Sequence, residues 1–101
     1  MSLTYSPKDP LETVILSMDF SLLLGSGETV VSADWLLSRL DVAEDTTSML
    51  VSATNMGSAP VIKQTITGGT SGGSYLHRPR IITSLGQTLI PSAIQVVSTG
   101  G

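Results

Sequence analysis

Apolar and polar residues alternate along most of this chain with a period of two. The clearest run covers residues 12–21, where four apolar side chains share one face: Val14, Leu16, Met18 and Phe20. Successive side chains of an extended strand point to opposite faces, so this pattern is typical of a strand with one buried face. We therefore predict a strand over 12–21 whose apolar face lies in the core.

Similar runs cover most of the remaining chain. They span residues 29–37, 48–54, 61–67, 75–83 and 87–98. The residues that share a face are Thr29, Val31, Ala33, Trp35 and Leu37 in the first of these runs, Met49 and Val51 in the second, Tyr75, His77, Pro79 and Ile81 in the fourth, and Ile90, Ser92, Ile94 and Val96 in the last. We expect Trp35 to be the centre of the core.

Two local features leave alternatives open. Around residues 33–43, Trp35, Leu36, Leu40 and Ala43 have roughly helical spacing, so a short helical turn there competes with the strand that the β-branched residues before it favour. Pro79 and Pro91 lack a backbone N–H and cannot donate to a β-ladder. We therefore predict that each lies on an edge strand or at a bulge.

Glycine-rich turns separate the predicted strands. The block of residues 68–73 contains Gly68, Gly69, Gly72 and Gly73, and a second turn follows at 84–87. Glycine reaches positive φ without steric cost, so the chain can reverse at these points. Tyr75 follows the block directly, where we expect a buried ring with its hydroxyl bonded to nearby backbone, as in the tyrosine corner of a Greek-key sandwich.

These elements predict an all-β fold, an immunoglobulin-like antiparallel β-sandwich of about seven strands. A length of 101 residues fits a single domain over 1–101. Residues 1–11, with two prolines, form an extended N-terminal arm in this interpretation, and 99–101 form a short tail. The expected core and corner residues are Phe20, Trp35 and Tyr75 with the four glycines of the block.

Composition removes several classes of function. Only 13% of residues are charged, the formal net charge is −3, and five Lys and Arg residues are scattered along the chain. Nucleic-acid binding therefore has little electrostatic support. There is no cysteine, so disulfides and thiolate metal sites are impossible. No apolar run approaches the length of a membrane span or a signal peptide, so we expect no membrane association.

Several segments together resemble the phage fiber-tail adaptor proteins. These are Tyr5–Pro10, Glu12–Ser21, Leu24–Trp35, the glycine block with Tyr75, and the return at Thr83–Thr88. The resemblance spans nearly the whole chain. It implies a non-enzymatic structural protein of a phage or prophage tail that joins tail and fibre components. It also implies a virion component, assembled in the bacterial cytoplasm, with tail and fibre proteins as partners and a possible homo-oligomer.

Candidate chemistry is sparse. Gly69-Thr70-Ser71-Gly72-Gly73 matches the G-x-S-x-G pattern of hydrolases, but a strand follows where a nucleophile elbow needs a helix. His77 is the only histidine, and a zinc site around it would need an unusual ligand set. The acidic residues 41, 44 and 45 lack the spacing of a calcium loop. We therefore expect no catalytic residue, metal or cofactor.

The most polar candidate surface is Arg78-Pro79-Arg80. Both arginines fall on one face of a strand and are candidates for contact with an acidic partner or a sugar. The alternative is that charges and proline simply keep an edge strand soluble and prevent edge-to-edge pairing. A carbohydrate or cell-surface binding module is the second functional hypothesis, with Trp35 and Tyr75 as stacking platforms.

Overall fold

The computed structural model describes residues 2–56 and 60–100 and contains eight strands. The strands are β1 (Ser2–Thr4), β2 (Thr13–Asp19), β3 (Val30–Arg39), β4 (Leu50–Asn55), β5 (Val61–Thr67), β6 (Gly73–Thr83), β7 (Thr88–Leu89) and β8 (Ser92–Val97). The helical content of the described residues is one 3₁₀ turn, Thr47–Met49, so they include no helix long enough to cross a bilayer. The all-β prediction is confirmed.

The strands form two sheets that share one core. One sheet has the order β1-β8-β6-β3, with β7 also paired to β6, and the other has the order β2-β5-β4. The described pairs are antiparallel except β1, which runs parallel to β8. Both sheets supply buried residues to the core: Met18, Phe20, Trp35, Met49, Ile62, Ile66, Tyr75, Ile81, Ala93 and Val97. The two-sheet sandwich is confirmed, and its immunoglobulin-like connectivity stays a prediction.

β3 replaces the helical alternative. Its residues pair with β6 in register from Ser32↔Ile82 to Arg39↔Tyr75, so the suggested helical turn near 33–43 is wrong. Strand pairing over most of the segment outweighs the local helical spacing because each residue gains a ladder position and a cross-strand neighbour. The 3₁₀ turn instead lies just before β4.

A β-bulge at the start of β3 reverses part of the predicted face. Val30 pairs with Thr83 and Ser32 pairs with Ile82, so Val31 is the extra residue. A single inserted residue shifts the alternation by one. Consequently Val30 packs against the core, while Val31 is 58% exposed, contrary to the prediction for Val31.

The predicted third strand also changes its boundary and its face. Met49 is buried, but it belongs to the 3₁₀ turn, and Leu50 packs against the core as the first residue of β4. Val51 is 39% exposed, so it does not share a buried face with Met49. The 3₁₀ turn resets the alternation, because its period differs from that of a strand.

Pro91 lies in a break that divides the predicted last strand into β7 and β8. The buried face of β8 carries Ala93, Gln95 and Val97, opposite to the predicted face of Ser92, Ile94 and Val96. The prediction of one continuous strand over 87–98 is therefore wrong. Leu89 of β7 packs against the core and Ile90 is 38% exposed, so the inward residues have the same parity on both sides of the break. The predicted face was wrong along the whole run because apolar residues occur on both of its faces.

Pro79 occupies a central strand, contrary to the expected edge or bulge. β6 pairs with β3 along one side, and Pro79 lies opposite Trp35 there. On the other side β6 pairs with β8 up to His77 and with β7 from Ile81. Pro79 thus lies between two neighbouring strands, at a position where the described ladder is interrupted and an N–H donor is not needed.

The glycine block joins the two layers of the sandwich. β5 belongs to the three-stranded sheet and β6 to the five-stranded sheet, so residues 68–72 cross between sheets and do not form a hairpin. Gly68, Gly69 and Gly72 have φ values of 71°, 97° and 91°. Residues with a Cβ rarely adopt this conformation, so the path of the crossing depends on these glycines.

Candidate docking surfaces

The strand directions give the sandwich two distinct ends. The chain leaves β2 and β6 at one end, where the loop 20–29 and the turn 84–87 lie. It enters β2 and leaves β3 at the other end, where residues 8–12, the loop 40–46 and the glycine block lie. We call the first the leucine end and the second the acidic end. The Cα extents of 43 × 22 × 21 Å make these the two tips of an elongated molecule.

Leucines project from the tips of the leucine end. Leu22 is 91% exposed and Leu85 is 70% exposed. The loops that carry them are tied together, since the backbone N–H of Ser84 donates to the carbonyl of Thr29 over 2.8 Å and the N–H of Thr29 donates to Ser84 Oγ over 3.0 Å. The leucines are therefore presented on loops that are braced against each other.

Glu28 fixes the loop 20–29 to the end of β6. Its Oε1 accepts the backbone N–H of Gly25 over 2.8 Å, and its Oε2 accepts the hydroxyl of Thr83 over 2.5 Å. Both bonds favour the carboxylate, so they hold the pKa of Glu28 below its usual value. Both oxygens are occupied within the chain, which makes Glu28 a structural clamp.

An open pocket lies beside this clamp. It has a volume of about 230 Å³ and is lined by Ser21, Leu24, Gly25, Glu28, Thr29, Val30 and Pro60. Leu24 and Val30 belong to the apolar set packed against the core. The pocket is thus an open extension of the core surface, formed by the loop 20–29, Val30 and Pro60.

The acidic end combines exposed apolar side chains with most of the carboxylates. Leu11 is 94% exposed, Leu40 51% and Val42 53%. Five of the eight acidic residues lie here together with two of the five basic residues: Asp9, Glu12, Asp41, Glu44 and Asp45 with Lys8 and Arg39. The three acidic and three basic residues elsewhere balance, so the whole formal net charge of −3 belongs to this end.

Arg39 organises the loop that follows β3. Its guanidinium binds Asp41 through Nε at 2.8 Å and a second nitrogen at 3.0 Å, and it binds Glu44 at 2.7 Å. The paired bonds from Arg39 lower the pKa of Asp41 to about 2. Asp41 and Glu44, two of the three carboxylates weighed as calcium ligands, therefore bind an arginine. The described residues contain no cluster suited to a metal ion.

Tyr75 connects this loop to the glycine block. Its ring is fully buried, its hydroxyl accepts the backbone N–H of Thr70 over 2.8 Å, and it donates to Glu44 Oε2 over 2.7 Å. A Cβ on Gly73 would lie 2.9 Å from the Tyr75 ring and 2.9 Å from Arg39 Nε. The acidic end is rigid because Glu44, Tyr75 and the glycine block form one bonded unit.

Lys8 ties the N-terminal segment to the same end. It is 1% exposed, and its ammonium donates to the carbonyls of Gly68 at 2.7 Å and Asp9 at 2.9 Å. Burial lowers its pKa, while the nearby carboxylates of Glu12 and Asp9 act in the opposite direction. Its charge is therefore used inside the fold and is not presented to a partner.

His77 lies in the core, away from Ser71. Its Nδ1 accepts the indole N–H of Trp35 over 3.0 Å, and Nε2 lies 3.2 Å from Gln95 Oε1. Since Nδ1 accepts a hydrogen bond, the proton of the neutral ring is on Nε2, which donates a hydrogen bond to Gln95 Oε1. Burial lowers the pKa of His77 to about 4. Ser71 is exposed and bonds Thr99, so the two residues of the hydrolase hypothesis are not brought together.

The three residues of the predicted surface Arg78-Pro79-Arg80 do not lie on the same face of the sheet. Arg78 is exposed, whereas Pro79 is under 2% exposed on the core face, so Pro79 does not belong to a partner surface. Alternation along β6 is the reason, because neighbours in a strand face opposite sides. Arg80 pairs across the strands with Asp34, with Nε 2.9 Å from Oδ1. Among the described ion pairs, Arg78 takes part in none.

The expected core and corner residues occupy the interior. Phe20 and Tyr75 are fully buried, and Trp35 is 4% exposed. Trp35 and Tyr75 therefore cannot act as stacking platforms for a sugar in this structure. The exposed leucines of both ends were missed from the sequence, because they lie next to turn residues and outside any alternating run.

One family model matches the chain, over residues 8–94. Its description is "Podophage GP4 fiber-tail adaptor protein gp77". In the comparison with curated proteins, no relative matched. The matched span includes both ends of the sandwich and the strands β2 to β7. This protein therefore belongs to the podophage fiber-tail adaptor family, a structural component of phage tails.

Proposed function

We propose that this protein joins a tail component to a fibre component through protein–protein contacts at its two ends. The observation that carries the proposal is the exposure of large apolar side chains at both tips of an elongated sandwich. Leu22 and Leu85 project at one end, and Leu11 and Leu40 project at the other. Large apolar side chains exposed at the same end of a molecule favour a surface that is covered in an assembly.

The geometry supports a role as a spacer. β6 has 11 residues and runs from the acidic end to the leucine end, which corresponds to roughly 36 Å at the usual rise of an extended strand. Partners docked on the two tips would be held apart by this distance. The bonds of Glu28 at one end and of Arg39 and Tyr75 at the other keep both tips in a fixed geometry.

The proposal includes a non-enzymatic role within the virion after assembly in the bacterial cytoplasm. The separation of Ser71 from His77 supports the absence of a triad, and the engagement of both His77 ring nitrogens supports a structural histidine. We also propose that 1–101 acts as one domain, and that tail symmetry presents several copies, since repeated copies multiply modest contacts. The exposed Arg78 is a further proposed contact, on the side of the sandwich.

The test is a bridging assay with the tail and fibre proteins of the same phage. Immobilised tail protein should retain fibre protein only when the adaptor is present. The double variant Leu22→Ser/Leu85→Ser should lose one partner and keep the other. The double variant Leu11→Ser/Leu40→Ser should show the reverse pattern.

The control is Ile15→Ser, which changes an equally apolar side chain, 68% exposed, on the side of β2. It should bridge as the wild type does. Circular dichroism and thermal unfolding should show all three variants folded. If both double variants still bind both partners with unchanged affinity, the end-to-end mode of bridging is wrong.

A further inference from the structure

The pocket at the leucine end has the properties of an anchor site. We propose that it receives one apolar side chain from the protein partner that docks there. The inference rests on the proposed function and names the contact that one partner makes. Pockets that accept a single large side chain are where interfaces concentrate their binding energy.

The size of the pocket favours a side chain over a small-molecule ligand. Its volume is about 230 Å³, below the roughly 300–1,000 Å³ typical of ligand sites. Leu24, Val30 and Pro60 form apolar walls. A leucine, methionine or aromatic side chain would exchange its contact with water for contact with these walls.

The charges around the pocket favour an uncharged occupant. Glu28 is the only ionisable residue among the described lining residues, and its two oxygens already accept hydrogen bonds from Gly25 and Thr83. A cationic group would have to compete with these bonds, and an anionic group would meet the carboxylate itself. An apolar side chain makes neither demand.

The exposed leucines complete the site. Leu22 and Leu23 precede the lining residue Leu24, and Leu85 projects from the turn that is bonded to Thr29. Leu22 and Leu85 are 91% and 70% exposed. Apolar contacts around an anchor exclude water from it. The partner surface should therefore carry a projecting apolar residue within a mainly apolar patch.

A second copy of this chain packed head to tail is a poorer occupant. Its acidic end would insert Leu11, Leu40 or Val42. That end carries five carboxylates, and none of the described lining residues has a basic side chain to receive them. A different protein with a neutral or basic surrounding surface fits better.

Filling the pocket from within tests the inference. Gly25 lines the pocket, its φ is not in the left-handed region, and a Cβ there would lie 3.6 Å from Glu28 Oε1, an ordinary contact. Gly25→Leu should occupy the space meant for the partner. We expect a loss of about tenfold or more in affinity for one of the two partners and no change for the other.

The matched control is Ser26→Leu, which adds the same side chain one residue later, outside the pocket lining. It should bind both partners as the wild type does. Gly25→Ala gives a second test if Gly25→Leu does not fold. It adds only one methyl group and should weaken the same contact by a smaller factor.

The outcomes separate the two proposals. If the Leu22→Ser/Leu85→Ser variant loses a partner while both Gly25 variants bind normally, the leucine end docks a partner but the pocket is not its anchor. If no variant affects either partner, the bridging proposal fails as well. If size-exclusion chromatography shows a wild-type oligomer that Gly25→Leu converts to a monomer, the occupant is a second copy and our assignment is wrong.

Discussion

His77 makes the stability of the core dependent on pH. The ring is fully buried as the neutral form that accepts the Trp35 N–H and donates to Gln95. Protonation of Nδ1 would place its N–H against the indole N–H of Trp35, so that two donors would face each other. Burial also disfavours the positive charge of the protonated ring. The N-terminal arm also covers His77, since the Tyr5 ring lies edge-on to the His77 ring with 5.5 Å between their centroids.

We predict that the free energy of unfolding falls as the pH is lowered from about 6.5 to about 4. The folded pKa of His77 is lowered from 6.5 to about 4, so in this range the unfolded chain binds a proton that the folded chain does not. Stability therefore rises with pH here and is lost on acidification, by roughly 3 kcal/mol at the lower limit.

Urea unfolding at pH 7, 6 and 5, followed by Trp35 fluorescence, measures this dependence. The control is His77→Gln, which has no titrating ring and should lose most of the slope between pH 6.5 and 5. Carboxylates such as Glu28 and Glu44 have lowered pKa values, so they contribute mainly below this range. An equal slope in wild type and variant would contradict the prediction.

Two glycines of the glycine block should respond differently to a methyl group. At Gly73 a Cβ would lie 2.9 Å from Arg39 Nε, 2.9 Å from the Tyr75 ring and 3.1 Å from the carbonyl of Thr70. Gly73→Ala should therefore disturb the packing of Tyr75 and cost about 2–3 kcal/mol of stability.

Gly68→Ala is the matched control, because it has φ 71° and no atom within 4 Å of the added Cβ. Only backbone strain applies there, at a cost of about 1–2 kcal/mol. Thermal unfolding of both variants compares them. A larger loss at Gly68 than at Gly73 would show that strain, and not the contact with Tyr75, limits the glycine block.

At the scale of elements, β4 is an edge strand whose irregular backbone discourages pairing with a further strand. The pairing of β4 with β5 shifts between Val51 and Asn55, and Ser52 has φ 62°. The side-chain amide nitrogen of the buried Gln64 lies 3.2 Å from the carbonyls of both Val51 and Ser52. A side chain of β5 thus replaces the backbone partner that the bulge removes, and the irregular edge is a poor template for further strands.

We predict that Ser52→Gly stabilises the protein by about 1 kcal/mol, because glycine adopts positive φ without the cost that a Cβ imposes. The adjacent, exposed Ala53→Gly should instead destabilise it, because Ala53 does not have positive φ and glycine adds flexibility to the unfolded chain. Chemical denaturation measures both. A loss of stability in Ser52→Gly would mean that the strain at Ser52 is not relieved by removing its side chain.

Sequence reasoning succeeded where alternation continues without interruption. β2, β5 and β6 were predicted with their boundaries within two residues, and the face of β6 with Tyr75, His77 and Ile81 is the buried one. It failed at Val31 and Met49, where a bulge and a 3₁₀ turn change the parity, and in β8, where apolar residues on both faces do not distinguish the inward one. One extra residue reverses every face beyond it, and no local pattern records that residue.

The candidate site was less accessible from sequence. The turns at 20–29 and 84–87 could be recognised, but nothing local predicts that Glu28 reaches Thr83 across 55 residues of sequence. The same holds for Tyr75 and Glu44, which are 31 residues apart. The exposure of a leucine in a turn cannot be predicted from the sequence, because turns lack the alternating pattern that distinguishes buried from exposed residues.

At the scale of the whole molecule, charge distinguishes the two contacts. The formal net charge of −3 belongs to the acidic end, and the rest of the molecule is balanced. We predict that the partner bound at the acidic end loses affinity as salt is raised from 50 to 500 mM, because exposed charges are screened over this range. The partner at the leucine end should change little, or bind slightly better.

The charge variant Glu12→Gln/Asp45→Asn should reduce the salt dependence of the first contact. The control is Asp19→Asn at the leucine end, because Asp19 accepts the N–H of residue 21 as Asp45 accepts that of residue 47. Binding isotherms at both salt concentrations give the comparison. Equal salt dependence of the two contacts would refute the assignment of an electrostatic end.

The pairing of β1 with β8 predicts an order of events for folding. Ser2 pairs with Ser92. In the arm that follows, the Tyr5 ring stacks near Trp35, and the carbonyl of Ser6 accepts a hydrogen bond from the side chain of Gln95. This contact closes a loop of about 90 residues, which is among the slowest kinds of contact to form. The strands between can pair earlier. We therefore expect the arm to dock on a sandwich that already has its shape, so that the adaptor is ready for assembly only after that final step.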